Sequence, residues 1–103
     1  MMDNYTIIIT SKAQSDISDC VSFVLNVSKE AAIKLADDIY DSIGSLVNFP
    51  DRNPIFEMPK PFPFIIRKQV INHRYAALYC VEGKNVTIYR VLDSRRKFNF
   101  LVL

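Results

Sequence analysis

Residues 4–10, Asn-Tyr-Thr-Ile-Ile-Ile-Thr, concentrate β-branched and aromatic side chains and predict a first strand. Ser11 follows with a hydroxyl suited to capping a helix, and Ala13, Ile17, Cys20, Val21, Val24 and Leu25 recur at helical spacing. Asp16 and Asp19 fall on the other side, so residues 12–26 predict an amphipathic helix. Val27-Ser28-Lys29-Glu30 breaks the pattern, with Ser28 as the next cap and Glu30 near the positive end of the coming helix dipole. Ala32, Ala36, Ile39, Ile43 and Leu46 form a second stripe, widened by Ile33, Tyr40 and Val47. That helix spans 29–48 and ends before Pro50, because a residue preceding proline is disfavoured in helical geometry. So short a break between two amphipathic helices implies an antiparallel helical hairpin.

All 5 prolines lie between Pro50 and Pro63. That stretch predicts an extended, partly polyproline-like connection over the surface, a spacer rather than a helix or central strand. Three strand-like runs follow, at 64–71, 74–81 and 85–92. Asn72-His73 and Glu82-Gly83-Lys84-Asn85 separate them and suit tight hairpins, with Gly83 free to take positive φ. The runs are apolar on both faces, so one face packs the helices and the other must be covered or form a cleft. The chain continues as a basic turn, Asp93-Ser94-Arg95-Arg96-Lys97, and an apolar tail, Phe98 to Leu103. The order predicts an α+β domain: an N-terminal strand, an antiparallel helical hairpin, a three-stranded antiparallel meander and a short C-terminal tail.

Composition then sets bounds. At 103 residues and 50% apolar, the chain predicts a single domain over 1–103 with its own core. No apolar run approaches the roughly 20 residues that span a bilayer, and the start lacks the features of a signal peptide. Cys20 and Cys80, each inside an apolar pattern, read as buried reduced thiols, and the expected location is cytoplasmic with no membrane partner. One His and two separated Cys provide no zinc spacing, and glycines only at Gly44 and Gly83 exclude a phosphate-binding loop, so neither metal nor cofactor is expected. The net charge of +2 conceals a division. Residues 1–50 set three basic side chains against seven acidic ones, a net of −4, and residues 51–103 set ten against four, a net of +6. Such asymmetry points to a polyanion or an acidic partner.

Four segments, in order along nearly the whole chain, carry a family resemblance. They are Ile9-Thr10-Ser11-Lys12-Ala13-Gln14-Ser15-Asp16-Ile17; Leu46-Val47-Asn48-Phe49-Pro50-Asp51-Arg52-Asn53-Pro54; Ile66-Arg67-Lys68 leading into Arg74-Tyr75-Ala76-Ala77-Leu78-Tyr79-Cys80-Val81; and Val86-Thr87-Ile88-Tyr89-Arg90-Val91-Leu92-Asp93-Ser94-Arg95-Arg96. Together they resemble the RelE/ParE superfamily of bacterial toxins, the toxic halves of type II toxin–antitoxin modules, also called plasmid-stabilisation proteins. The resemblance implies a toxin that inhibits growth until a cognate antitoxin, with an acidic or amphipathic segment, wraps it in a hetero-oligomer. RelE-like members cut messenger RNA on the ribosome, and ParE-like members poison DNA gyrase without a nuclease reaction.

RNA cleavage by a 2′-hydroxyl needs a base, a cation at the phosphorane and an acid for the leaving oxygen, all without metal. On the resemblance, Arg67 falls at a basic position of the nuclease branch, Gln69 stands where a second lysine is expected, and Ala76 where that branch has arginine. A metal-independent endoribonuclease would therefore rest on Arg67, His73 and Arg95. These departures favour the ParE-like, binding-based reading. Arg67, Lys68, Arg74, Arg90, Arg95, Arg96 and Lys97 are the candidates for binding a nucleic acid or protein target. Arg90 has a structural alternative, an ion pair with Asp16 or Asp19, since it shares strand parity with Val86, Ile88 and Leu92. Phe98, Phe100 and Leu101 are the candidates for an apolar partner surface. A non-toxic nucleic-acid-binding module and a degenerate toxin are the remaining readings.

Overall fold

The computed structural model describes residues 5–95 and 101–103. Strand β1 (Thr6–Ile9) leads into helices α1 (Ser11–Leu25) and α2 (Lys29–Gly44), and a long connection leads to strands β2 (Arg67–Ile71), β3 (Tyr75–Glu82) and β4 (Asn85–Asp93). The architecture is the predicted α+β arrangement. Its sheet has the order β1-β4-β3-β2, with β2, β3 and β4 antiparallel and β1 parallel to β4.

Helix α1 is capped by Thr10 rather than Ser11. The extended backbone of β1 persists through Thr10 (φ −66°, ψ 161°), so its hydroxyl is the one that accepts from the Ala13 amide. The same hydroxyl donates to the Tyr89 carbonyl at 3.2 Å, and the Thr10 amide donates to Ile88 at 3.1 Å. Strand ladder and helix cap thus meet at one residue. Ser28 caps α2 through the Ala31 amide, as its position predicts. Near the start of α1, Gln14 donates to the Tyr40 hydroxyl near the end of α2 at 2.6 Å, so the two helices run antiparallel.

Regular α2 ends at Gly44 and tightens into a 3-10 turn at Ser45–Val47, earlier than the proline alone dictates. Its buried stripe is Ala32, Leu35, Ile39 and Ile43, with Leu46 beyond. Leu35 therefore takes the central place that the sequence reading gave to Ala36, whereas Ile33 and Tyr40 are exposed. The helices cover one face of the sheet, where Ala13, Ile17, Leu35, Ile39 and Ile43 pack on Tyr75, Ala77, Tyr79, Val86, Ile88 and Val91. Full burial of each large aliphatic side chain contributes roughly 1.5–3 kcal/mol.

The other face is covered by the proline-rich connection. Phe56, Met58 and Phe62, together with Leu101 and Leu103, pack against Ile66, Leu78, Cys80 and Leu92. The connection is a lid on a second core and not a spacer. Strand β2 begins at Arg67, later than the predicted 64, and its outer edge is partnered at that end by residues 54–56: the Phe56 amide donates to the Ile66 carbonyl (2.7 Å) and the Lys68 amide to the Pro54 carbonyl (3.1 Å). The β2–β3 hairpin turns through three residues, Asn72 to Arg74, and the β3–β4 hairpin through two, Gly83 and Lys84. Asn72 and His73 both take positive φ (53° and 59°), the type I′ geometry that matches strand twist, and Gly83 alone does so in the second turn (60°). Cys80 is buried, Cys20 is half-buried rather than enclosed, and neither is in a disulfide.

Candidate functional site

Strand β4 contains a bulge that decides where its charged residues point. Leu78 pairs with Arg90, but Tyr79 pairs with Ile88, leaving Tyr89 as the extra residue. Side-chain parity inverts there. Val86, Ile88 and Val91 enter the helix-side core and Leu92 enters the opposite one, so Leu92 does not share a face with Val86 and Ile88 as simple alternation predicts. Arg90, next to the bulge, reaches α1. Its Nε lies 2.6 Å from Asp16 Oδ2 and its Nη2 3.0 Å from Asp16 Oδ1. Asp16 Oδ2 also accepts the Val91 amide at 3.0 Å, so one carboxylate satisfies the guanidinium and a backbone group at the bulge. The hydrogen bond from Asp16 pushes the Arg90 pKa above its ordinary value. Arg90 Nη1 donates to the Val102 carbonyl at 2.9 Å and ties the C-terminal residues to the sheet.

Where β4 ends, a cleft of about 550 Å³ opens between α1 and the sheet, lined by Asp19, Cys20 and Phe23 on one side and by Arg74, Tyr75 and Arg95 on the other. Phe23 is exposed in its mouth. Asp93 joins the two cations: Arg95 Nη2 lies 2.8 Å and Arg74 Nε 3.4 Å from Asp93 Oδ2. The Arg95 guanidinium above all, helped by the Arg95 amide and by Arg74, holds the Asp93 carboxyl well below the usual carboxylate range, against the opposing effect of burial. Two guanidiniums share this one carboxylate, and since Asp16 and Asp19 also line the cleft, its cations do not outnumber its carboxylates.

At the other end of β2 and β3, a polar network fastens the residues after α2. Arg67 Nη1 donates to the Asn53 carbonyl at 2.6 Å, and its Nε is 3.8 Å from Asp51. The Asn53 amide donates to Gln69 and, at 3.0 Å, to the Tyr79 hydroxyl, which in turn donates to the Pro50 carbonyl. Arg52 donates from Nη1 to Asn48 (2.5 Å) and Ser45 (3.2 Å), engaging the carbonyls that the end of α2 leaves open. Burial raises the Tyr79 pKa, so the phenol stays protonated and donating.

These placements divide the sequence candidates. Arg67 is four residues from Ile71, about 13 Å along the strand, whereas the His73 turn and Arg95 lie at the far end. The three catalytic candidates are not brought together. His73 is exposed at its turn, and Lys68 is half-buried on the edge strand. Arg74 and Arg95 come together; Arg67 and Arg90 are each engaged elsewhere. Leu101 is buried in the second core. Arg96, Lys97, Phe98 and Phe100 lie outside the described residues. Gln69 is held by Asn53, and Ala76 is fully buried in the middle of the sheet. The sequence reading did not single out Asn53, Tyr79 or the Phe49 turn. The available signal is an aromatic residue before proline at a helix end, which the sequence reading uses for the helix stop and the family resemblance.

Among the described residues, no group of three or more His, Cys, Asp or Glu could hold a metal ion, and no helix is long and apolar enough to cross a membrane.

The model of the family described as ParE toxin of type II toxin-antitoxin system, parDE, matches residues 7–98. No curated protein matches the chain. Among solved structures, one from a chromosomal ParDE toxin–antitoxin system of P. aeruginosa superimposes with a TM-score of 0.70 at 22% identity, covering 88% of this chain and 97% of that chain. That likeness is one of fold.

Proposed function

The chain belongs to the ParE toxin family of type II toxin–antitoxin systems, and from that premise we propose that it arrests growth by binding a protein target, DNA gyrase in the ParE manner, and not by cutting RNA. The supporting observation is that the cations suited to a phosphate are engaged within the molecule. Arg67 holds the Asn53 carbonyl, Arg90 holds Asp16, and Arg74 and Arg95 share Asp93. General acid–base catalysis of RNA cleavage needs proton-transfer groups on both sides of one phosphate, and Arg67, His73 and Arg95 are spread over opposite ends of the sheet.

The antitoxin segment fits the cleft between α1 and the end of β4. Exposed Phe23 supplies apolar contact, and Arg74 and Arg95 offer cations beside the carboxylates of Asp19 and Asp93, which suits an amphipathic segment. The test is a pair of reactions with the purified chain. Blocked supercoiling by gyrase together with intact message in a coupled translation reaction is the expected result. Message cut at codons, with gyrase unaffected, would transfer the protein to the RelE-like reading.

A further inference from the structure

The two walls of the cleft at the end of β4 are charged in opposite senses. On the sheet side, the Asp93 carboxylate is saturated. Its Oδ1 accepts the Arg95 amide (3.0 Å) and Nε (3.1 Å), and its Oδ2 accepts Arg95 Nη2 (2.8 Å) and Arg74 Nε (3.4 Å). Both guanidiniums keep their charge, so this wall holds one positive charge more than Asp93 cancels. Spare donors lie on the same wall: among the described residues, neither η nitrogen of Arg74 nor Nη1 of Arg95 has a hydrogen-bond acceptor. On the α1 side, Asp16 is cancelled by Arg90 at 2.6 Å, and Arg90 does not line the cleft. Asp19 does line it, as an exposed carboxylate with no ion pair or hydrogen bond among the described residues. This wall therefore holds one uncancelled negative charge. Cys20, Tyr75 and Leu92 line the cleft as well, with exposed Phe23 at its mouth.

The charges balance over the cleft as a whole, and it is their separation that selects an occupant. A polyanion satisfies Arg74 and Arg95 but brings its charge against Asp19. A basic segment has the converse difficulty, and a purely apolar one covers charged groups on both walls without pairing them. Both walls are satisfied by a segment whose apolar stripe is bordered by an acid on one side and a base on the other. Charged borders along an apolar stripe are the ordinary make-up of an amphipathic helix.

We propose that this cleft recognises the antitoxin through two ionic contacts of opposite sense, an antitoxin carboxylate on Arg74 and Arg95 and an antitoxin ammonium or guanidinium on Asp19. The proposal rests on the reading above that the antitoxin segment occupies this cleft, and it adds a polarity to that segment. The purified full chain is titrated at low ionic strength with the antitoxin encoded beside the gene, as the wild type, Arg74→Glu and Asp19→Lys. Lys60→Glu on the proline-rich connection and Asp41→Lys on α2 are charge-matched controls. Both cleft reversals are expected to weaken binding by at least about tenfold, since like charges then face each other, with the controls within about twofold of the wild type. Arg74→Gln and Asp19→Asn should each weaken it by about threefold, and they keep the test decisive if circular dichroism shows a reversal to be misfolded. An antitoxin with one acid reversed should restore binding to Arg74→Glu and not to Asp19→Lys, and one with a single base reversed should do the opposite.

Tighter binding by Asp19→Lys would mean an occupant that is acidic throughout, and tighter binding by Arg74→Glu a basic one. Unchanged binding by either reversal would mean that its contact is not made, and losses matched by the controls a response to net charge alone. Each of these results overturns the proposal. Phe23→Ala separates the proposal from the reading beneath it. A loss of about tenfold in Phe23→Ala, the effect of an interface hot spot, with both reversals unchanged would keep the antitoxin in the cleft and reject the polarity. No loss in any of the three variants would place the antitoxin elsewhere and remove both.

Discussion

Replacing Asp16 with alanine removes the acceptor of Arg90 Nε, Arg90 Nη2 and the Val91 amide in one step. The two side chains are largely shielded, at 13% exposure for Asp16 and 19% for Arg90. Removing one member of a fully buried ion pair costs about 3–5 kcal/mol, because the partner is left charged and unpaired. The remaining exposure of this pair puts the expected loss near the bottom of that range, about 3 kcal/mol, with the unsatisfied Val91 amide included. For a domain of this size, whose total stability is on the order of 5–15 kcal/mol, that is a large share. It corresponds to a fall in Tm of at least roughly 12 °C. Thermal and urea unfolding followed by circular dichroism measure it, with an unchanged m-value confirming that the unfolded state is not the cause. Asp16→Asn, which keeps an acceptor for the amide but loses the charge, should fall between. In a double-mutant cycle with Arg90→Leu, the coupling should approach about 2 kcal/mol. A melting temperature for Asp16→Ala within about 4 °C of wild type, or a coupling below about 0.5 kcal/mol, would refute the pairing as the anchor of α1 on β4.

Three further outcomes follow from the same geometry. Asp93 has its folded pKa depressed, chiefly by Arg95, so its contribution is complete above its unfolded value of about 3.9 and is lost as pH falls through the lower folded value. Asp93→Asn should therefore flatten the decline of Tm below about pH 4; an unchanged acid limb would remove Asp93 from the account. A thiol reagent at neutral pH should label Cys20 in the folded protein and reach Cys80 only on unfolding, since burial raises the Cys80 thiol pKa and encloses it. Rapid native labelling of Cys80 would contradict the second core. Ala76→Arg, which restores the arginine expected of a nuclease branch, places a charge at a position with 0% exposure. The variant should accumulate as insoluble or unfolded protein without gaining RNA cleavage, and a folded, message-cutting variant would overturn the reading of Ala76 as a packing residue.

The helices and hairpins were legible because their signals are local. Ser28 caps the helix that it precedes, Asn72-His73 carries side chains tolerated at positive φ, and Gly83 fills the remaining turn. The Arg90–Asp16 pair was foreseen on the ground that a half-buried arginine needs a carboxylate. Its geometry was not foreseen, since the reading assumed unbroken alternation, and the bulge at Tyr89 depends on how two strands pair. The same limitation applied to the proline-rich connection. Phe56, Met58 and Phe62 gave no periodic signal, because proline prevents regular structure, yet their burial is what allows β3 to be apolar on both faces. Likewise, Thr10 displaced Ser11 as the cap only because β1 pairs with β4 through that residue.

The charge division between the two halves of the chain gains a different meaning from the structure. A surplus of +6 in residues 51–103 invites a polyanion if its cations are free and adjacent. Among the described residues, every arginine of that half has an acceptor in the molecule: Arg52 on the end of α2, Arg67 on the following turn, Arg74 and Arg95 on Asp93, and Arg90 on Asp16 of the acidic half. Part of the surplus thus serves to fasten helices and connections to the sheet. At the end of β4, two guanidiniums meet Asp93 beside exposed Phe23, with Asp19 in the same cleft. That is a small surface of apolar groups and charges of both signs, and it suits a folded or folding peptide better than the repeated phosphates of a nucleic acid. A nucleic-acid groove would need successive unengaged cations at phosphate spacing.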